Sequence, residues 1–261
     1  MSKGRRFNLE KKSKNNILFV AIEILLAGVM LYSGGKIYNW YKDNQHNDRV
    51  MGDISQASLT NEAENKGENE SMAESKVETK IDFKKLKEQN KDTVGWIKIN
   101  GTNIDYPVVK GEDNSYYLTH SFDKSVNNAG WVFADYRNKF DTTDKNIIIY
   151  AHNRKDKSMF GTLRNVLKKE WYENPENLKA KFTTENQVYD YEVFSIYRIE
   201  AEDYYIQTNF DHNSFLEFLN TIKKRSIKDF GGTISGNEEI LTLSTCDVKN
   251  NYRVVLHLKK C

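Results

Sequence analysis

Cysteine is scarce in this chain of 261 residues: there are two, Cys246 and the C-terminal Cys261. So small a number excludes a disulfide-stapled scaffold, and a bridge between the two would tie a strand end to a terminus prone to fraying. An excess of charge of either sign is also missing. Lysine plus arginine number 39 against 37 for aspartate plus glutamate, which gives no support to a nucleic-acid partner, since such proteins concentrate a basic face. There is no glycine-rich phosphate loop, no βαβ alternation and no internal repeat, and neither a cofactor nor a metal ligand set is expected. Long apolar runs are absent too, with one exception.

That exception is Ile17–Tyr38, apolar apart from Glu23 and a small polar Ser33-Gly34-Gly35-Lys36 tail. As a helix it would extend about 33 Å, enough for a hydrocarbon core of about 30 Å. It is longer than a signal-peptide h-region, and no clear A-x-A site follows. Residues 1–16 carry six basic groups against Glu10 alone, which places that end in the cytoplasm, while Tyr32, Tyr38, Trp40 and Tyr41 suit the outer interface. The expected plan is a cytoplasmic basic tail (1–16), an uncleaved transmembrane signal-anchor (17–38), an extracellular linker (39–80) and a folded domain (81–261). The reading of a linker or a loose helical stalk rests on residues 42–80, polar and aperiodic, with six glutamates and three lysines between Asn61 and Lys80. Such a segment has too little apolar surface to offset its ordering entropy.

From Ile81 onward the pattern alternates short strands with a few helices. A short helix over 81–86 precedes strands at Val94–Ile99 and Ile104–Val109, with a reversal at Asn100-Gly101. Asn114–Leu118 reads as one helical turn and Gly130–Ala134 as a strand. Asn146–His152 is the most continuously apolar strand, hence central. Helical spacing over Met159–Leu167, strands at 178–184 and 187–199, and an amphipathic helix around Phe215–Ile222 follow. Leu241–Cys246 and Tyr252–Leu258 close the chain as two strands joined by a short polar connection. Seven or eight strands with three or four helices predict a mainly antiparallel closed β-barrel with peripheral helices, preceded by one transmembrane helix.

The antiparallel return after Cys246 brings Arg253 towards that cysteine, and a nearby cation favours thiolate. A cysteine nucleophile also needs a proton carrier, most often histidine. Of the five histidines, His46 lies in the linker, His212 opens a helix and His120 follows an aromatic turn. His257 shares strand parity with Arg253, though further along. His152 ends a strand ahead of the polar run Asn153–Lys157.

Thr242-Leu243-Ser244-Thr245-Cys246, the upstream Ile149-Tyr150-Ala151-His152-Asn153, and Arg253 in the next strand together resemble the signature of sortases, membrane-anchored cysteine transpeptidases of Gram-positive bacteria. Asp113–Leu118, Ala134–Asn138, Met159-Phe160 after the histidine, and the helix before the cysteine strand resemble class B in particular. Ala151 replaces the glycine usual there, and the Cys-to-Arg connection is slightly short. The resemblance implies that Cys246 attacks a Thr carbonyl of a sorting-signal peptide to form a thioacyl enzyme. It implies His152 as general acid and then base, and Arg253 as substrate clamp and oxyanion support. It also implies that Asn114, Leu118, Tyr150 and Ser244 bind substrate. The partners would be a secreted surface protein, an amine acceptor from a peptidoglycan precursor or a pilin, and the lipid bilayer. A non-catalytic sortase-like scaffold is the competing class; a papain-like thiol protease would place cysteine before histidine, the reverse of this chain.

Overall fold

The computed structural model describes residues 3–62, 78–246 and 251–261. They fall into two units, residues 1–46 and 47–261. Helix α1 (Lys3–Ser58) contains no proline to interrupt it. In the first unit its apolar side chains, among them Leu18, Phe19, Leu25, Met30 and Trp40, are exposed. By length and composition this helix is a candidate membrane span.

The second unit begins earlier than Ile81. Asn47, Val50, Ile54 and Ser58 are all buried, at spacings of three and four that set them on one helical face. This differs from the expected free linker over 39–80. With only two aliphatic side chains, the face is too sparse to register as amphipathic among polar neighbours. Strands β1 (Leu59–Glu62) and β2 (Glu78–Ile81) pair antiparallel; the rest of the expected linker, 63–77, lies outside the described residues. Helix α2 (Phe83–Gln89) starts at Asp82, whose carboxylate accepts from the Lys85 amide at 3.1 Å, while the Asp82 amide donates to the Ser58 carbonyl at 2.8 Å.

The barrel follows. Strands β3 (Thr93–Ile99) and β4 (Asp105–Val109) are antiparallel, their link turning at Gly101 with φ +66°. Strand β5 (Phe133–Ala134) is shorter than the expected 130–134, because Gly130 is left-handed and the Trp131 amide is diverted to the Tyr117 carbonyl. Strand β6 (Asn146–His152) comes next. Helical turns start at Leu163 rather than Met159, whose φ is +51°. Helix α3 (Lys169–Tyr172), strands β7 (Lys179–Thr183) and β8 (Val188–Glu200), helix α4 (His212–Arg225), and strands β9 (Ile240–Cys246) and β10 (Tyr252–Lys260) complete the chain.

Eight strands close in the order β10-β8-β7-β3-β4-β5-β6-β9. Six of the pairings are antiparallel; β4·β5 and β6·β9 are parallel. Closure leaves the barrel without a free sheet edge. Its interior holds Ile97, Phe133, Ile149, Phe182, Leu243 and Leu256. Outside, α4 lays Phe215, Phe218, Leu219 and Ile222 against Tyr197, Ile240 and Val255. Burying each such side chain is worth about 1.5–3 kcal/mol. A reciprocal Asp211–Ser214 capping box starts α4, and Lys223, Lys224 and Arg225 end it in accord with the helix dipole.

Candidate active site

The parallel pairing of β6 with β9 decides the site. Its register sets Asn146 opposite Ile240 and, six residues on, His152 opposite Cys246. The cysteine and the histidine therefore end neighbouring strands at the same level, side by side. On the other flank, β10 runs antiparallel to β9, with Val255 opposite Ser244. Two residues further along each strand stand Cys246 and Arg253, and the Val254 amide carries the contact onward to the Thr245 hydroxyl at 2.9 Å. His152 and Cys246, far apart in sequence, thus end adjacent strands at one rim of the barrel, with Arg253 on the flanking strand. Arg253 is half-buried, and its guanidinium donates to the Tyr252 carbonyl at 3.2 Å.

His152 is also half-buried. Its Nε2 lies 2.8 Å from the Leu118 carbonyl. A carbonyl can only accept, so Nε2 carries a hydrogen and donates it to Leu118. Behind the ring the chain doubles back. The amides of Arg154 and Phe160 both donate to the His152 carbonyl at 3.1 Å, and Asn153 and Met159 form a bridge. Asp156 holds this turn through the Ser158 amide and hydroxyl (3.0 and 2.6 Å) and through Arg154 at 2.9 Å. The polar run after His152 is therefore a tight, internally bonded turn.

The four residues expected to bind substrate divide into two kinds. Leu118 is half-buried and its carbonyl orients the histidine ring. Asn114, Tyr150 and Ser244 spend their polar atoms within the protein. Asn114 donates to the Asp135 carboxylate and accepts from the Tyr136 amide, both at 3.0 Å. The Tyr150 hydroxyl donates to Asp135 at 2.9 Å. Ser244, 1% exposed, shares a 3.0 Å hydrogen bond with the Tyr205 hydroxyl. These bonds make the three side chains parts of the walls.

Asp135 is the residue that sequence reasoning passed over. It is fully buried and gripped by Arg137 through Nε (2.8 Å) and Nη2 (2.6 Å). Burial alone would push this carboxyl up; Arg137, Tyr150 and Asn114 outweigh it and hold the group below the usual carboxylate range. Arg137 Nη2 also donates to the Ile206 carbonyl at 2.8 Å. One buried carboxylate thus joins the Asn114 turn, strand β6 and the segment after β8. The available signal was the Asp-x-Arg spacing in Asp135-Tyr136-Arg137.

His257, the other histidine weighed for this rim, is sealed in the barrel wall. It is 0% exposed, with the Tyr197 hydroxyl on Nε2 at 2.7 Å and the Thr242 hydroxyl on Nδ1 at 2.8 Å. Thr242 in turn donates to Asn146 at 2.6 Å, so it accepts from Nδ1, and Tyr197 must be the donor to Nε2. Burial pushes the imidazole pKa down to about 3, which keeps it neutral. It cannot exchange protons with the rim. His120 stacks on Tyr116, its Nδ1 2.8 Å from the Tyr116 carbonyl.

The chain and its fold have known relatives. Residues 97–260 match the Sortase domain family. A Sortase B from Listeria monocytogenes is 36% identical over 233 residues, covering 89% of this chain and 91% of that protein. The crystal structure of sortase B from B. anthracis in complex with AAEK1 superposes with a TM-score of 0.71 at 33% identity, over 84% of this chain and 98% of that one. A Staphylococcus aureus sortase B–substrate complex superposes with a TM-score of 0.65 at 33% identity, over 69% of this chain and 84% of that one. The closed eight-stranded barrel accords with that likeness, and the chain belongs to the sortase family as a cysteine transpeptidase of the sortase B type.

Proposed function

We propose that Cys246 is the nucleophile, His152 the proton carrier and Arg253 the oxyanion and substrate clamp. The substrate is a C-terminal sorting peptide of a secreted protein. The observation that best supports this is the β6·β9 register, which sets His152 level with Cys246. The Cys246 thiolate attacks the Thr carbonyl carbon of the sorting peptide. The C–N bond then breaks, the leaving amine takes a proton from His152, and a thioacyl enzyme remains. An incoming amine, deprotonated by His152, attacks the thioester and expels the thiolate. Arg253, on the flanking strand, suits the negative charge that develops on the carbonyl oxygen in both steps. Leu118 is the wall residue proposed to meet the peptide; Asn114, Tyr150 and Ser244 hold the walls that shape its groove. The amine comes from a peptidoglycan precursor or a pilin. The apolar stretch of α1 spans the bilayer with the basic residues 1–16 in the cytoplasm and the barrel outside.

Incubating the protein with a class B-type sorting peptide and a glycine-based amine acceptor tests this by mass spectrometry. The expected result is an acyl adduct on Cys246 and a ligated product. No adduct and no turnover with any sorting peptide would instead favour a non-catalytic barrel.

A further inference from the structure

Asn47 stands at the start of the α1 face that packs on the barrel and is 5% exposed, although asparagine is mostly a surface residue. Burying an amide is costly unless its groups are bonded. Here the assignment is unambiguous. Asn127 donates its Nδ2 to Asn47 Oδ1 at 2.9 Å, because its own Oδ1 accepts the Ala129 amide. The Ser121 hydroxyl donates to the same Oδ1 at 2.6 Å. Asn47 Nδ2 is then left to donate to the Gly130 carbonyl at 3.1 Å.

Gly130 is where this cluster meets the site. Its φ is +62°, and a Cβ there would stand 2.6 Å from the Tyr117 carbonyl, 2.9 Å from the Leu118 carbonyl and 3.1 Å from Cδ2 of His152. Gly130 therefore lies close to both the histidine ring and the carbonyl that orients it, with no room for a side chain between them. Ser121 and Asn127, Asn47's other partners, lie on the same bend and are 0% and 1% exposed. A fully bonded buried amide specifies one arrangement where an apolar contact would tolerate several.

We propose that Asn47 is a positioning residue for the reaction: through Gly130 it sets the Leu118 carbonyl and the His152 ring against Cys246. The inference rests on the role given to His152 above. Asn47 then serves the reaction, while Val50 and Ile54 further along the same helix face serve packing.

The test uses the full-length chain in detergent micelles with Cys261→Ser, so that iodoacetamide reports on Cys246 alone. Alkylation rate is followed against pH, with the unfolding temperature measured for every variant. His152→Ala should change the profile. Asn47→Ala should shift it the same way and slow alkylation at neutral pH by about threefold or more, since thiolate reactivity depends on the placed histidine. Ile54→Ala, which removes packing on the same helix but keeps Asn47's bonds, should lower the unfolding temperature and leave the profile unmoved. A wild-type profile in Asn47→Ala, or an equal shift in Ile54→Ala, would overturn the inference while His152→Ala still shifts the profile. An unmoved profile in His152→Ala would instead remove the reading of His152 on which it rests.

Discussion

Two histidines of this barrel differ in almost every respect that matters for chemistry. His152 ends a strand on the rim, half-buried, with Nε2 donating to a backbone carbonyl. His257 lies inside the wall, 0% exposed, with a hydroxyl on each nitrogen and a pKa pushed down to about 3. Both occupy apolar strands, and both flank residues of the Cys246 hairpin. What separates them is one turn of context: a strand end opens to water, whereas a strand middle is closed by its neighbours. A proton carrier needs access to what it protonates, and burial behind two fixed partners removes it.

The largest expected effect falls on the rim. Cys246→Ala should abolish adduct formation and product, and His152→Ala should lower turnover by about a thousandfold, measured by mass spectrometry with peptide and amine. Substantial turnover in His152→Ala would break the comparison at its root. Arg253→Lys should lower turnover by about ten- to a hundredfold with the melting curve unchanged, because a point charge cannot reproduce the planar fork. Near-normal rates would reduce Arg253 to a general electrostatic role.

Truncation sharpens the contrast between what supports each residue. A chain starting at Asn47 should melt with the full-length protein. One starting at Ile81 loses Val50 and Ile54 from the core and should melt about 5–15 °C lower. Equal melting temperatures would mean that the packed helix face contributes nothing.

The closed histidine should show itself in stability instead. Its pKa is depressed on folding, so below the ordinary value near 6.5 the unfolded chain binds the extra proton. Stability from this group is therefore complete above about pH 6.5 and is lost as pH falls towards 3, at up to about 1.4 kcal/mol per pH unit. His257→Gln should flatten this slope in denaturant titrations while turnover per folded molecule stays within about twofold. A large loss of turnover would show the two histidines to be coupled. The smallest effect is expected at Cys261, which is exposed beyond the last strand: Cys261→Ser should leave rate and melting within error.

Much of this was legible locally. Alternation over Leu241–Cys246, the apolar run ending at His152 and the spacing in α4 each predict an element from a single repeating face. Burial by the helix segment 47–58 was not legible, because two aliphatic residues among polar ones give no period to read. Nor were the bonds of Tyr150, Asn114 and Ser244. Whether a polar side chain faces a ligand or a buried carboxylate depends on where Asp135 comes to rest, which no local pattern records.

The sequence by itself determined most of the barrel strands and helix α4, which end is apolar enough to span a bilayer, and which residue types bring cysteine, histidine and arginine chemistry. Only the tertiary structure decided that β6 and β9 lie parallel with His152 level with Cys246, that His257 is sealed, and that Asn47 reaches Gly130. The physical reason is range. Element formation follows periodicity over a few residues, whereas register between distant strands and the partner of a buried polar group are settled only when the whole barrel closes.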